Sequence, residues 1–168
     1  MTQAILKNQV SDLRPKIDME KEERKAFAEQ LCTHLANTYR LLINTQGVHW
    51  NTQGPLFYSI HKLTETQYEE LFASIDVIAE RIRALGYPAQ QSLTQLADAS
   101  SVGDLVVNGE LESQIIRLIE INEKTASQMR DTIENAEQCR DYVTAGLLTE
   151  RINAHEENAW MLRATIAS

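Results

Sequence analysis

The sequence predicts an all-α protein: four long helices packed as a bundle, with a short extra helix in a long crossover between the second and third. Three observations carry this. Only nine of the 168 residues are Gly or Pro, about 5% against roughly 12% in average usage, too few for the many turns of a β-sandwich or barrel. The runs between these breakers are rich in Ala, Leu, Glu, Gln and Arg, which are good helix formers. The breakers also cluster, at Gly47, Gly54 and Pro55, at Gly86 and Pro88, and at Gly103 and Gly109, with Pro15 ahead of the first long run.

The first helix is expected from about Met19 to Trp50, with Asp18 as N-cap and Glu20, Glu22 and Glu23 at the positive end of its dipole. Phe27, Leu31, Leu35 and Leu42 recur at helical spacing. Asn51–Pro55 is a turn. The second helix spans about Leu56 to Leu85, with an apolar stripe of Phe57, Ile60, Leu71, Ile75, Ile78, Ile82 and Leu85. Gly86 is placed to close it, and Pro88 confirms the stop. Residues 87–108 are longer than a helical hairpin needs, with a short helix capped by Ser92 expected up to Ala99. The third helix starts near Asn108 and ends near Ala136, with Leu111, Ile115, Leu118 and Met129 in phase. The fourth runs from about Asp141 to Ala167, with Leu148, Ile152, His155 and Leu162 in phase and Gly146 as a local weakness of about 1 kcal/mol. Two helical hairpins joined by a long crossover make the ferritin-like version of a four-helix bundle. Residues 1–18 are read as a tail and 19–168 as one domain.

Composition narrows the function. Sixteen basic against 24 acidic residues give a net charge of −8, so the body repels nucleic acid and anionic membrane and attracts cations. Cys32 and Cys139 have no zinc spacing and read as buried free thiols of a reducing cytosol. No signal-peptide run or 18-residue apolar stretch is present, and a cytoplasmic protein with no membrane partner is expected.

The second helix carries a second row about 100° from its apolar stripe: His61, Glu65, Tyr68, Phe72, Asp76 and Glu80. A solvated face has little use for Tyr68 and Phe72, and a core face excludes four ionisable groups. The row reads as an interface with ligands set into it. His61 and Glu65 are an i,i+4 pair, as are Asp76 and Glu80, and each pair can grip one cation. Glu65 and Asp76, however, are 11 residues apart, about 16 Å along a helix. Either there are two half-sites, or two copies of the helix run antiparallel across a two-fold axis and share two equal sites. Imidazole and carboxylate without thiolate suit Fe(II), Mn(II) or Zn(II). His49 lies on the core side of the first helix, at the hairpin end where His61 also falls.

The segment His49-Trp50-Asn51-Thr52-Gln53-Gly54-Pro55-Leu56-Phe57, followed by His61 and by Asp76-Val77-Ile78-Ala79-Glu80-Arg81, resembles the signature of the Dps mini-ferritins. His155-Glu156-Glu157-Asn158-Ala159-Trp160-Met161-Leu162-Arg163 is similar to their last helix. The resemblance spans about residues 20–167. It implies a ferroxidase site in which His49, His61 and Glu65 of one subunit face Asp76 and Glu80 of a two-fold mate. Glu65 stands where the family uses Asp or Glu. Trp50 is implied either to intercept oxidising equivalents or simply to pack at the hairpin end. The resemblance further implies a hollow homododecamer that oxidises Fe(II) with hydrogen peroxide or oxygen and stores ferric mineral, protecting against oxidative damage.

Two features differ from the family pattern. DNA binding in some members uses a Lys-rich tail, whereas residues 1–17 carry Lys7, Arg14 and Lys16 against Asp12, an excess of +2 that twelve copies would multiply. Gly146 stands where members often place a pore Asp, which leaves Asp141, Glu150 and Glu157 as candidate pore residues. Large ferritins and di-iron oxygenases use Glu-x-x-His, and no Glu stands three residues before any of His34, His49, His61 or His155. His155-Glu156 has no second His four residues on, which excludes a zinc peptidase. The alternative is a non-enzymatic, DNA-binding, nucleoid-compacting shell protein. His34 is read as structural.

Overall fold

The computed structural model describes residue 15, residues 17–105 and residues 109–167. The described residues form four long helices and one short one: α1 (Lys21–Asn51), α2 (Phe57–Ala84), α3 (Leu93–Ala99), α4 (Leu111–Gln138) and α5 (Tyr142–Ile166). The expected start of the third long helix at Asn108 and most of the tail lie outside the described residues.

Local chemistry sets the ends. At the start of α1 the cap falls at Glu20 rather than Asp18, and the Glu23 carboxylate accepts the Glu20 N–H at 3.0 Å. Placing the acceptor three residues into the helix satisfies an orphan donor that Asp18 lies too far back to reach. Ser92 Oγ accepts the Gln95 N–H at 3.2 Å and starts α3 as expected. Gly86, at φ +96°, closes α2; its N–H donates to the Arg83 carbonyl at 2.9 Å and that of Tyr87 to Ile82 at 3.3 Å. The α4–α5 turn repeats this motif with Arg140 at φ +60°, a conformation most side chains resist.

Helix α1 packs beside α2 and α4, and α5 packs beside both, which leaves α1 and α5 on one diagonal of the bundle. Leu31, Leu41, Ile60, Ile78, Ile82, Ile115, Leu118, Met129, Leu148 and Leu162 fill the space between them. Phe57 departs from its expected place in this core and is 46% exposed. Both thiols are half-buried rather than fully buried. Burial and the nearby Glu29 raise Cys32, and burial and Glu23 raise Cys139, so neither is activated toward the thiolate.

The crossover is fastened to α1 by side chains that helical periodicity would assign to a polar face. Asn37 Oδ1 accepts the Ser101 N–H at 2.8 Å, and Asn44 Oδ1 accepts that of Leu105 at 3.2 Å while its amide donates to Gly103 at 3.0 Å. The Arg40 guanidinium meets Asp104 at 2.5 Å. Helices α2 and α5 are tied by two ion pairs. Arg151 meets Glu70, and Arg81 reaches Asp141 at 2.7 Å and Thr144 Oγ1 at 2.9 Å.

Candidate metal centre

The end of the α1–α2 hairpin brings two of the expected ligands, His49 and His61, into contact, with Glu65 one turn further along α2. His49 sits in the last turn of α1 and is buried, and His61 lies one turn into α2. Their rings stack at 3.8 Å between centroids, 17° from parallel. Each locks the other: His49 Nδ1–H donates to the His61 carbonyl at 2.9 Å, and His61 Nδ1–H donates to the His49 carbonyl at 3.0 Å. A carbonyl only accepts, so each Nδ1 carries a proton, and Nε2 is the nitrogen left for a metal. That is the tautomer and orientation a metal-ligating imidazole needs. Phe57 stacks on the outer face of His61 at 5.1 Å, and Tyr68 meets His49 edge-on at 5.1 Å.

Glu65 follows His61 by one turn. Its carboxyl is held below the usual carboxylate range, chiefly by the Lys62 ammonium at 2.7 Å and further by the two imidazoles. A carboxylate oxygen and two imidazole Nε2 atoms are a donor set that suits a first-row divalent cation.

Asp76 and Glu80 are exposed further along α2, the first of them about 16 Å beyond Glu65. Phe72 and Val77 on the same helix are 68% and 54% exposed, and Trp50 beside His49 is 67% exposed. Among the described residues, no group of three or more His, Cys, Asp or Glu side chains is placed to hold a metal within the one chain.

Of the three candidate pore residues, Glu150 and Glu157 are exposed on α5. Asp141 is different: its side chain is 2% exposed, and its carboxylate accepts from Arg81, from the Thr144 N–H at 3.0 Å and from the Thr144 hydroxyl at 2.5 Å. Burial alone raises its pKa, but the Thr144 and Arg81 hydrogen bonds outweigh burial and hold it low. Asp141 is thus the N-cap of α5 and the anchor of Arg81, with its oxygens turned inward.

Sequence reasoning singled out His49, His61 and Glu65 as candidates but missed Lys62, the stacking of Phe57 on His61 and the reciprocal histidine lock. The Lys62 spacing was legible as an i,i+3 pair with Glu65; the lock depends on the hairpin bringing two helix ends together.

Residues 28–168 match the family model for the ferritin-like domain. A low temperature-induced protein of Nostoc is 36% identical over 158 residues, covering 91% of this chain and 87% of its own. The DNA protection during starvation protein 2 of Bacillus anthracis is 29% identical, covering 83% and 96%. The crystal structure of the Dps protein of Vibrio cholerae, described as a member of a superfamily of ferritin-like diiron-carboxylate proteins, superposes with a TM-score of 0.85. It is 28% identical and covers 92% of this chain and 98% of its own. The chain belongs to the ferritin-like family and, within it, to the Dps proteins.

Proposed function

We propose that this protein oxidises Fe(II) and stores the ferric product inside a hollow homododecamer, at sites shared across a two-fold axis. The observation that carries the reading is the distribution of ligands along α2. His49 and His61, each held by its Nδ1, stand with Glu65 toward one end, and Asp76 and Glu80 stand exposed toward the other, with bare Phe72 between. An antiparallel second copy of α2 brings the two ends together twice and covers the apolar side chains. Family membership supports iron as the cation.

In this reading the imidazoles bind and orient Fe(II), and the carboxylates offset the charge that grows on oxidation. Hydrogen peroxide takes one electron from each of two Fe(II) ions and, with two protons, leaves as two waters. A paired transfer avoids release of hydroxyl radical. Molecular oxygen is the alternative oxidant. Trp50, exposed beside His49, intercepts stray oxidising equivalents in this reading. Fe(II) enters past Glu150 and Glu157. A cytoplasmic, nucleoid-associated location is part of the proposal; no helix among the described residues is long and apolar enough to cross a membrane.

A second reading, DNA binding by the shell, is favoured by the names of the relatives and by the +2 excess in residues 1–17. A gel shift with and without those residues tests it.

The shared site is tested by complementation. His61→Ala and Asp76→Ala shells are each expected to lose rapid ferric absorbance after Fe(II) and peroxide, with more trapped radical. Co-assembly of the two chains should restore roughly a quarter of the parental sites, because a mixed two-fold dimer retains one intact site of two. No recovery in mixed shells would place all the ligands within one chain.

A further inference from the structure

Glu65 is not a free ligand: the Lys62 ammonium sits on its Oε2 at 2.7 Å, three residues back on the same helix. We propose that Lys62 is a specificity-determining residue that competes with the incoming divalent cation for Glu65 and returns to it when the cation leaves. The inference rests on the ferroxidase reading above and deepens it.

The geometry separates two kinds of ligand. His49 and His61 are fixed by reciprocal bonds to backbone carbonyls and by stacking, so their Nε2 positions do not depend on what is bound. Glu65 has a flexible side chain, and Lys62 beside it is still more flexible and half-exposed. A cation that takes the Glu65 oxygen must displace the ammonium into solvent, and repulsion between the two cations drives it there. The rigid pair therefore supplies selection for a metal that accepts imidazole, while the Lys62–Glu65 pair sets how tightly that metal is kept.

For a metal that is cargo, tight retention defeats turnover. A competitor carried by the site itself weakens binding and re-forms its ion pair as the oxidised ion departs. Lys62 also discriminates by charge: a monovalent cation gains too little from Glu65 to dislodge an ammonium of equal charge, whereas a divalent one gains enough.

The test uses the assembled protein and Co(II) as a redox-inert probe, followed anaerobically by calorimetry and by its visible absorption. Lys62→Met, which keeps the length and removes the charge, should bind Co(II) about fivefold more tightly, the scale of a half-exposed ion pair. Lys62→Arg should stay near the parent. The off-rate of Co(II) to a chelator should slow in Lys62→Met by a similar factor. Equal affinity and off-rate in Lys62→Met and parent would overturn the role of Lys62. Glu65→Gln and His61→Ala, run alongside, separate this from the parent reading: if both still bind Co(II) as the parent does, the site itself is misassigned.

Discussion

At the scale of the residue, the histidines divide into two populations by what their second nitrogen meets. His49 and His61 commit Nδ1 to each other's backbone carbonyl at the hairpin end, whereas His34 and His155 are enclosed in the bundle. His34 Nε2 meets Thr132 Oγ1 at 2.9 Å, and His155 Nδ1–H donates to Asn122 Oδ1 at 2.9 Å. Burial lowers His34 to about 4; burial, with Arg151 and His34 nearby, lowers His155 to about 3. The unfolded chain takes these protons near pH 6.5. Their neutral native form thus favours folding fully above pH 6.5, and that contribution is lost as pH falls from 6.5 toward 4 and then 3. For His34 the loss is on the order of 3 kcal/mol. Urea midpoints measured at pH 7, 5.5 and 4.5 should fall in that order; a constant midpoint would show that the imidazoles are hydrated in the native state. Helical phase places both inside: His155 with Leu148, Ile152 and Leu162, and His34 seven residues after Phe27 and three after Leu31.

At the scale of the element, α2 does two jobs and needs both faces fixed. Its apolar face holds Ile60, Leu71, Ile78 and Ile82 in the core. Near its C-terminal end, directly after Glu80, Arg81 is bound to the buried carboxylate that also caps α5. Arg81→Ala leaves that carboxylate with Thr144 alone. A loss of about 3 kcal/mol is expected, because an unpaired buried charge remains, with the thermal midpoint down by roughly 10 °C for a domain of this size. Arg81→Ala combined with Asp141→Ser, which keeps a capping oxygen and removes the charge, should recover most of the loss in calorimetry. Failure to recover would mean that Arg81 acts through packing of its stem. The element boundaries were largely legible because Ser92, Gly86 and Pro88 act within a few residues of themselves. The α1 cap was misjudged by two residues because Asp18 and Glu20 are both acceptors, and only backbone geometry chooses between them.

At the scale of the whole molecule, α2 presents Phe57, Phe72 and Val77 to solvent in the single chain. Such a surface beside ligands favours a second copy over water. Phe72→Glu introduces a charge at the centre of this face without touching the bundle core. Light scattering should show dissociation to smaller species with the helix content unchanged by circular dichroism, and rapid Fe(II) oxidation should be lost with the assembly. Full oxidation by a dissociated variant would contradict a site that spans two chains.

The sequence by itself determined the all-α class, the four long helices and the crossover helix, because breaker spacing and 3.6-residue periodicity are local properties. It also singled out His61, Glu65, Asp76 and Glu80, since a helix face is a fixed function of residue number. The tertiary structure decided the tautomers of His49 and His61, the inward turn of Asp141, the exposure of Phe57 and the burial of Asn37 and Asn44. Each of these depends on a partner remote in the chain or on another helix, and hydrogen-bond partners at such separations are set by packing rather than by spacing.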